Sequence, residues 1–464
     1  MKPLVTLLAI LLLPALAPLL IYTFSFVDAL INLAVVLLMT MLILSCNHLK
    51  GRLKTVTLNT IIILYISFIF TVLFESVLFD FTGRGFNEEV FFHFELESVR
   101  IAFNEYPLIL GLFFILSAVF IWLVNNTAKK IKLTTYKYTA ITSLLLLLPL
   151  MSQSVIARLG YTLQEFLQNQ SKPIQPEDVN KMKQVGVIND INLTSKINLN
   201  IKNKSQAKNL ILLYLESFNY GLINPPQYPE LTPNLNQLND TMYSLDLMSS
   251  AYVTIEGIIS SQCGTMLPMD SGNNTFLTNG ELMNKMPCLG DVLKEAGYQQ
   301  YYLGGAAMEF AGKGRFLESH GYDHIMGWEH WRKNGYQQDK GVWGLSDTSL
   351  FEEAIKTIKE AAKNPPYNVT MLTLGTHLPG YVYDGCQPYG DSQEPFINAI
   401  HCTDHLVGQF IEKLNTEKLL DNTVLMVVAD HGIFPTPKMT ELFGDIVQNR
   451  KLLAISNHQP LETS

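Results

Sequence analysis

The chain has 464 residues, 48% of them hydrophobic, and a formal net charge of -8. That length suggests two or three domains, and so much apolar content is high for a wholly soluble protein. The part beyond the apolar first third is not basic, which argues against a nucleic-acid partner.

The apolar excess lies in five stretches near 3–22, 30–46, 57–79, 107–124 and 138–157. Each approaches the ~20 residues that a helix needs to cross a bilayer. The first resembles a signal peptide, but four similar stretches follow, so an uncleaved span is expected. The connection after the second stretch carries Lys50, Arg52 and Lys54, and the one after the fourth carries Lys129, Lys130, Lys132 and Lys137. Between the third and fourth the balance reverses, with Asp80, Glu88, Glu89, Glu95, Glu97 and Glu105 against Arg84 and Arg100. Basic loops stay cytoplasmic. The pattern predicts a transmembrane domain of five helices over 1–157, its amino terminus inside and everything after the fifth span outside.

Cys46 falls within a span, whereas Cys263, Cys288, Cys386 and Cys402 fall in the external part. An even number in an oxidising compartment predicts disulfides. Sequence order suggests Cys263–Cys288 and Cys386–Cys402, although four cysteines allow three pairings.

Residues 158–208 read as a juxtamembrane helix (RLGYTLQEFLQ) and an Asn- and Lys-rich linker. A compact extracytoplasmic domain is expected over 209–464. NLILLYLE (209–216) is a continuous apolar run, followed by a Pro/Gly-rich loop and by TPNLNQLN, with Pro233 suited to a first helical turn. CLGDVLKEAGY (288–298) has helical spacing and leads into a strand, YQQYYLGG. SDTSLFEEAIKTIKEAAK (346–363) puts Leu350, Phe351, Ala354, Ile355, Ile358 and Ala362 on one helical face, with Asp347 as a candidate N-cap. YNVTMLTLGTH (367–377) is a further strand with a polar turn, and a helix over HLVGQFIEKLNTEKLL precedes the strand TVLMVVA (423–429). Strands alternating with helices predict an α/β domain with a mainly parallel sheet and helices on both faces.

Three of those strands lead to polar side chains: Glu216, then His377, then Asp430 and His431. In a doubly wound sheet the strand ends share one edge, where ligands gather. Glu, Asp and His would supply three ligands to a divalent cation and leave a position open, as catalytic sites do. Any one of them alone is as readily a cap or a structural hydrogen bond. A metal of this kind ionises a hydroxyl, and SSAYVTIEGIISSQCGT (249–265) offers Ser249, Ser250, Thr254, Ser260, Ser261 and Thr265. Spacing ranks Thr254 slightly ahead, because it opens a stretch able to start a helix, whose free N–H groups favour phosphate.

Together, ESF (216–218), the Thr254 segment with SQCG (261–264), CLGD (288–291), FAGKGRFLESHGYDH (310–324), GTH (375–377) and ADHG (429–432) resemble, in order, a known family. They are similar to the membrane-anchored transferases of the alkaline phosphatase superfamily, of the lipoteichoic acid synthase and phosphoglycerol transferase I type. SQCG…CLGD and FAGK…SHGYDH point to the phosphoglycerol transferase I branch, which decorates periplasmic glucans. The resemblance implies an α/β sulfatase-like fold, with Glu216, Thr254, Asp430 and His431 as metal ligands and Thr254 also the nucleophile. It implies that His377 binds the headgroup phosphate or acts as an acid, and that Lys313 contacts substrate. His320 and His324 read as structural, and Arg315 has no assigned role. Lipoteichoic acid synthases carry a His and a Trp where this chain has Gly304 and Ala311, which argues against that exact activity. Relatives usually continue past the position of Ser464 through another strand and helix, a departure that bears on the edge of the sheet and not on the four ligands.

The resemblance implies a phosphotransferase at the bacterial inner membrane, its catalytic domain in the periplasm. It would be loaded with one divalent cation, Mn2+ first and Mg2+ or Zn2+ as alternatives. Phosphatidylglycerol would be the donor and a periplasmic oligosaccharide the acceptor. A phosphoethanolamine transferase and a phosphodiester hydrolase are the nearest rivals, and an inactive membrane sensor is the non-enzyme alternative. A sulfatase activity is disfavoured, since no C/S-x-P-x-R run lies near the nucleophile.

Overall fold

The computed structural model describes residues 49–82, 85–86, 107–126, 155–169, 207–245, 247–248, 251–265, 287–337, 343–449 and 451–458, with scattered positions of 31–43. The chain forms two compact units, Met1–Gln168 and Asn169–Ser464.

In the first unit, helix α1 (Gly51–Thr82) covers the third expected span, and α2 (Pro107–Asn126) covers the fourth without a charged residue. Among the described residues one stretch, Gly51–Phe79, is long and apolar enough to cross a membrane. Helix α1 begins earlier than expected, so Arg52 and Lys54 lie in its first turn and not in a loop. The expected span at 3–22 lies outside the described residues, as does nearly all of 138–157. Three hydroxyls of α1 are satisfied within the helix: those of Thr60, Thr71 and Ser76 each donate to a carbonyl one turn back. Buried Glu75 receives both Nε and Nη2 of Arg158, each at 2.7 Å, from α3 (Val155–Asn169). Helix α3 straddles the expected boundary at 157/158.

The second unit is built on a seven-stranded sheet. Its strands are β1 (Asn209–Leu215), β2 (Tyr243–Ser244), β4 (Gln299–Gly304), β5 (His324–Met326), β6 (Tyr367–Leu372), β7 (Thr423–Ala429) and β9 (Ala454–Ser456), in the order β2-β9-β7-β1-β6-β4-β5. The five strands from β7 to β5 run parallel, and β9 and β2 add an antiparallel edge. A separate ribbon pairs β3 (Leu247–Met248) with β8 (Lys451–Leu452). The segment KLLAIS therefore supplies strands that its short apolar runs did not announce. Central β1 is nearly all buried, as its unbroken apolar run requires of a strand covered on both faces.

The helices are α4 (Pro233–Thr241), α5 (Thr254–Cys263), α6 (Leu289–Glu295), α7 (Lys313–Ser319), α8 (Trp328–Lys333), α9 (Asp347–Ala361), α10 (Pro395–Thr416), α11 (Pro437–Phe443) and α12 (Asp445–Gln448). Pro233 occupies the first turn of α4, as expected. Asp347 does not cap α9. Ser346 is the N-cap residue, and the Asp347 carboxylate instead accepts the N–H groups of Leu374 and Gly375, at 2.8 Å each. Disulfides join Cys263 to Cys288 and Cys386 to Cys402. The first staples the end of α5 to the start of α6.

Candidate metal centre

Strand register assembles the site. Leu215 of β1 lies opposite Ala429 of β7, so the next residues, Glu216 and Asp430, emerge together at the carboxyl edge. Ser217 follows with φ 53°, a left-handed turn uncommon for a side-chain-bearing residue, and its N–H reaches Asp430 Oδ1 at 3.0 Å. The N–H of His431 binds the same oxygen at 2.7 Å.

All three side chains are buried, and one donor atom of each lies within 4.8 Å of the others. His431 Nε2 sits 3.1 Å from Glu216 Oε1 and 3.7 Å from Asp430 Oδ2. Its Nδ1 faces the Gly432 carbonyl at 2.8 Å, which orients the ring and leaves Nε2 for a ligand. Asp430 Oδ2 is buried without a hydrogen-bond donor among the described residues. An orphaned carboxylate oxygen between a carboxylate and an imidazole suits a divalent cation, so the donor set fits one.

Electrostatics agree. Burial, then the neighbouring Glu216 charge, pushes Asp430 up to about 7. Burial alone would raise Glu216, but the charge and hydrogen bond of His431 outweigh it and hold the carboxyl well below its usual range. Burial would lower His431, yet Asp430 and Glu216 raise it to about 10. The trio holds protons where a cation would sit.

Thr254 is the first residue of α5, and its hydroxyl donates to Glu216 Oε2 at 3.2 Å. No side chain caps this helix start. Other hydroxyls of the segment are spent inside the helix: Ser260 and Ser261 donate to the Gly257 carbonyl, and Ser261 also meets the Tyr214 hydroxyl. Ser249 and Ser250 lie outside the described residues, and Thr265 is buried past the end of α5.

His377 is half-buried on the loop after β6, its Nδ1 3.1 Å from the Leu378 carbonyl. Burial lowers its pKa, against the opposing charge of Glu216. The same loop grips the Glu216 peptide: Thr373 Oγ1 accepts its N–H, and the Thr376 hydroxyl donates to its carbonyl. Lys313 opens α7 as a buried residue; burial lowers its pKa while Glu216 and Asp430 oppose the shift. The structure thus gathers Glu216, Thr254, Asp430 and His431, and sets His377 and Lys313 within their electrostatic reach.

A second cluster, Cys288, Asp291 and His320, is structural, because the Cys288 sulfur is in a disulfide and His320 Nδ1 pairs with Asp291 at 2.6 Å. His324 stacks on Tyr301 at the exposed strand β5. Sequence reading missed Ser217 and Asn219, and did not foresee the Thr376 bond to the Glu216 carbonyl. Asn219 binds the Ile446 and Asn449 carbonyls and the Ile433 N–H, locking the turn after His431.

Comparison with known proteins decides the family. The sulfatase family model matches residues 208–445. The chain belongs to the sulfatase family. A second model, for the N-terminal domain of phosphoglycerol transferase I, matches residues 28–162. Curated relatives named phosphoglycerol transferase I include one from Xanthomonas axonopodis pv. citri, 32% identical over 249 residues, covering 50% of this chain and 34% of the relative. Another, from Escherichia fergusonii, is 32% identical over 236 residues, covering 48% and 30% respectively. The chain therefore spans about a third of the length of these relatives. Among solved structures, the lipoteichoic acid synthase LtaP from Listeria monocytogenes matches with 19% identity and a TM-score of 0.47, over 62% of this chain and 73% of that one. Members of the sulfatase family use a divalent metal, in keeping with the donor set above.

Proposed function

We propose that this sulfatase-family chain transfers phosphoglycerol from phosphatidylglycerol to a periplasmic acceptor, a glucan by preference, through a covalent adduct on Thr254. One observation carries the reading: the Thr254 hydroxyl meets Glu216 Oε2 at the uncapped start of α5, beside the orphaned Asp430 Oδ2. Glu216, Asp430, His431 and the Thr254 oxygen would hold the cation, Mn2+ first. Bound there, it would lower the hydroxyl pKa and stabilise charge on a phosphoryl oxygen.

Glu216 Oε2 orients the Thr254 hydroxyl, which gives its proton to water as its oxygen attacks phosphorus. The bond to the diacylglycerol oxygen breaks, diacylglycerol leaves with a proton, and glycerophosphoryl-Thr254 remains. The acceptor hydroxyl then loses its proton to water and attacks the same phosphorus, the bond from phosphorus to the Thr254 oxygen breaks, and that oxygen takes up a proton to restore the hydroxyl. His377 orients the phosphate and can give a proton to a leaving oxygen. The first α5 N–H groups and Lys313 favour the anion.

The names of the relatives support the headgroup. The basic connections around the apolar stretches, and the match of 28–162 to the N-terminal-domain model, support a multi-pass inner-membrane protein with this site in the periplasm. The test supplies labelled phosphatidylglycerol and phosphatidylethanolamine to the Mn2+-loaded full chain, then seeks the Thr254 adduct by mass spectrometry. A glycerophosphoryl adduct is expected. A phosphoethanolamine adduct would replace the substrate, and no adduct with either lipid would end the covalent mechanism.

A further inference from the structure

Beside His377 stands a group the chemistry above does not use. Trp343 packs on the His377 ring at 4.4 Å between centroids, and Phe310, three residues before Lys313, meets it edge-on at 5.2 Å. Its backbone is pinned to the exit of β4: Gly344 bridges Ala306, and Leu345 N–H binds the Gly305 carbonyl at 3.1 Å. A Cβ on Gly344 would fall 2.0 Å from that carbonyl oxygen, so only glycine lets the chain approach this closely. The indole is thus fixed in place, yet its Nε1–H is buried without an acceptor among the described residues. Buried N–H groups are costly to leave unpaired and call for an explanation.

The geometry points to Trp343 as the residue that selects the headgroup, its N–H donating to a hydroxyl oxygen of a polyol phosphoester whose phosphate lies at His377. An indole N–H only donates. It can bond a glycerol hydroxyl, but an ammonium also only donates and offers it nothing. His377 packs on one side of the ring at a 50° tilt, which narrows the room for an ammonium over that face. The unpaired N–H therefore favours a hydroxylated headgroup over ethanolamine. This inference rests on the transfer reading for its substrate class, but its test does not need turnover.

Calorimetric titration of the Mn2+-loaded full chain with glycerol phosphate, phosphoethanolamine, propyl phosphate and inorganic phosphate measures the selection directly. Wild type should bind glycerol phosphate about tenfold more tightly than the other two esters, the worth of one hydrogen bond. Trp343→Phe, which keeps a ring against His377, should erase that preference and leave inorganic phosphate within about twofold. Wild-type ligand discrimination needs no variant, so a misfolded Trp343→Phe does not spare the inference. Equal wild-type binding of glycerol phosphate and propyl phosphate overturns it. So does a Trp343→Phe protein that keeps the preference, or one that weakens all ligands alike. Failure of the transfer reading shows separately, as no diacylglycerol release from phosphatidylglycerol.

Discussion

Gly257 of α5 lies against the backbone carbonyl of Asp430, so close that a Cβ added to it would come within 1.8 Å of that oxygen. Helix α5, which carries Thr254, thus rests directly on the strand end that bears Asp430 and His431. Gly257→Ala has no flexible neighbour to displace and must push α5 outward, taking Thr254 from Glu216. Overpacking of this kind costs about 1–3 kcal/mol. A shift near 1 Å costs on the order of 10²-fold in rate. Lipid turnover should fall by that factor while the melting temperature drops by only a few degrees. Normal turnover in a folded Gly257→Ala protein would show that α5 need not sit where it does.

Thr254→Ala should yield no adduct with any lipid donor, and Thr254→Ser, which restores a hydroxyl, should regain part of the adduct. Mass spectrometry of the 251–265 peptide reads both. An adduct in Thr254→Ala, on Ser260 or Ser261, would mean that their bonds to the Gly257 carbonyl do not hold them back.

Metal loading should release protons. Without the ion, His431 titrates near 10 and Asp430 near 7, and both must give up their protons to coordinate. Affinity should rise with pH across that window, and calorimetry in buffers of different ionisation enthalpy counts the protons. Stability of the metal-free protein should run the other way. The His431 contribution is complete below 6.5 and lost as pH rises through about 10. The raised Asp430 carboxyl contributes fully below 3.8 and loses that contribution as pH rises through about 7. Binding without proton release would contradict this electrostatic picture.

Asp347 makes a second pH prediction, away from the ligands. Burial raises it to about 7, with the Leu374 and Gly375 N–H groups opposing the shift. Its contribution is therefore present below 3.8 and lost as pH rises through about 7. The unfolding free energy of wild type minus that of Asp347→Asn should fall across this interval and level off above it. Because the carboxylate clamps the loop that carries His377, the variant should also raise the KM for lipid more than it lowers kcat. A pH-independent difference would assign Asp347 a purely structural role.

What the sequence disclosed follows from where its information is local. Strands β1 and β7 are nearly continuous apolar runs with Glu216 and Asp430–His431 directly after them, and β6, strand-like despite Asn368 and Thr370, leads to the loop that carries His377. Two- and three-residue strands such as β2, β8 and β9 leave no periodicity to read. Helix α10 starts at Pro395, ten residues before the expected His405. Its early turns bury Asp404, which accepts the N–H groups of Asn234 and Leu235 at the start of α4. A carboxylate that looks solvent-exposed in the sequence is there the cap of a helix some 170 residues away. Asp347 was misassigned as a cap and Trp343 escaped notice for the same reason, since their partners are tertiary.

The pairing of Leu215 with Ala429 has one more consequence. A strand can slide two residues along its neighbour and keep every side chain on its original face. In β7 such a slide would carry Asp430 roughly 7 Å away from Glu216, too far for one ion to bridge them. Coordination is therefore a ruler laid across two strands: an ion held here rewards a single alignment of the sheet and proofreads the fold that made it.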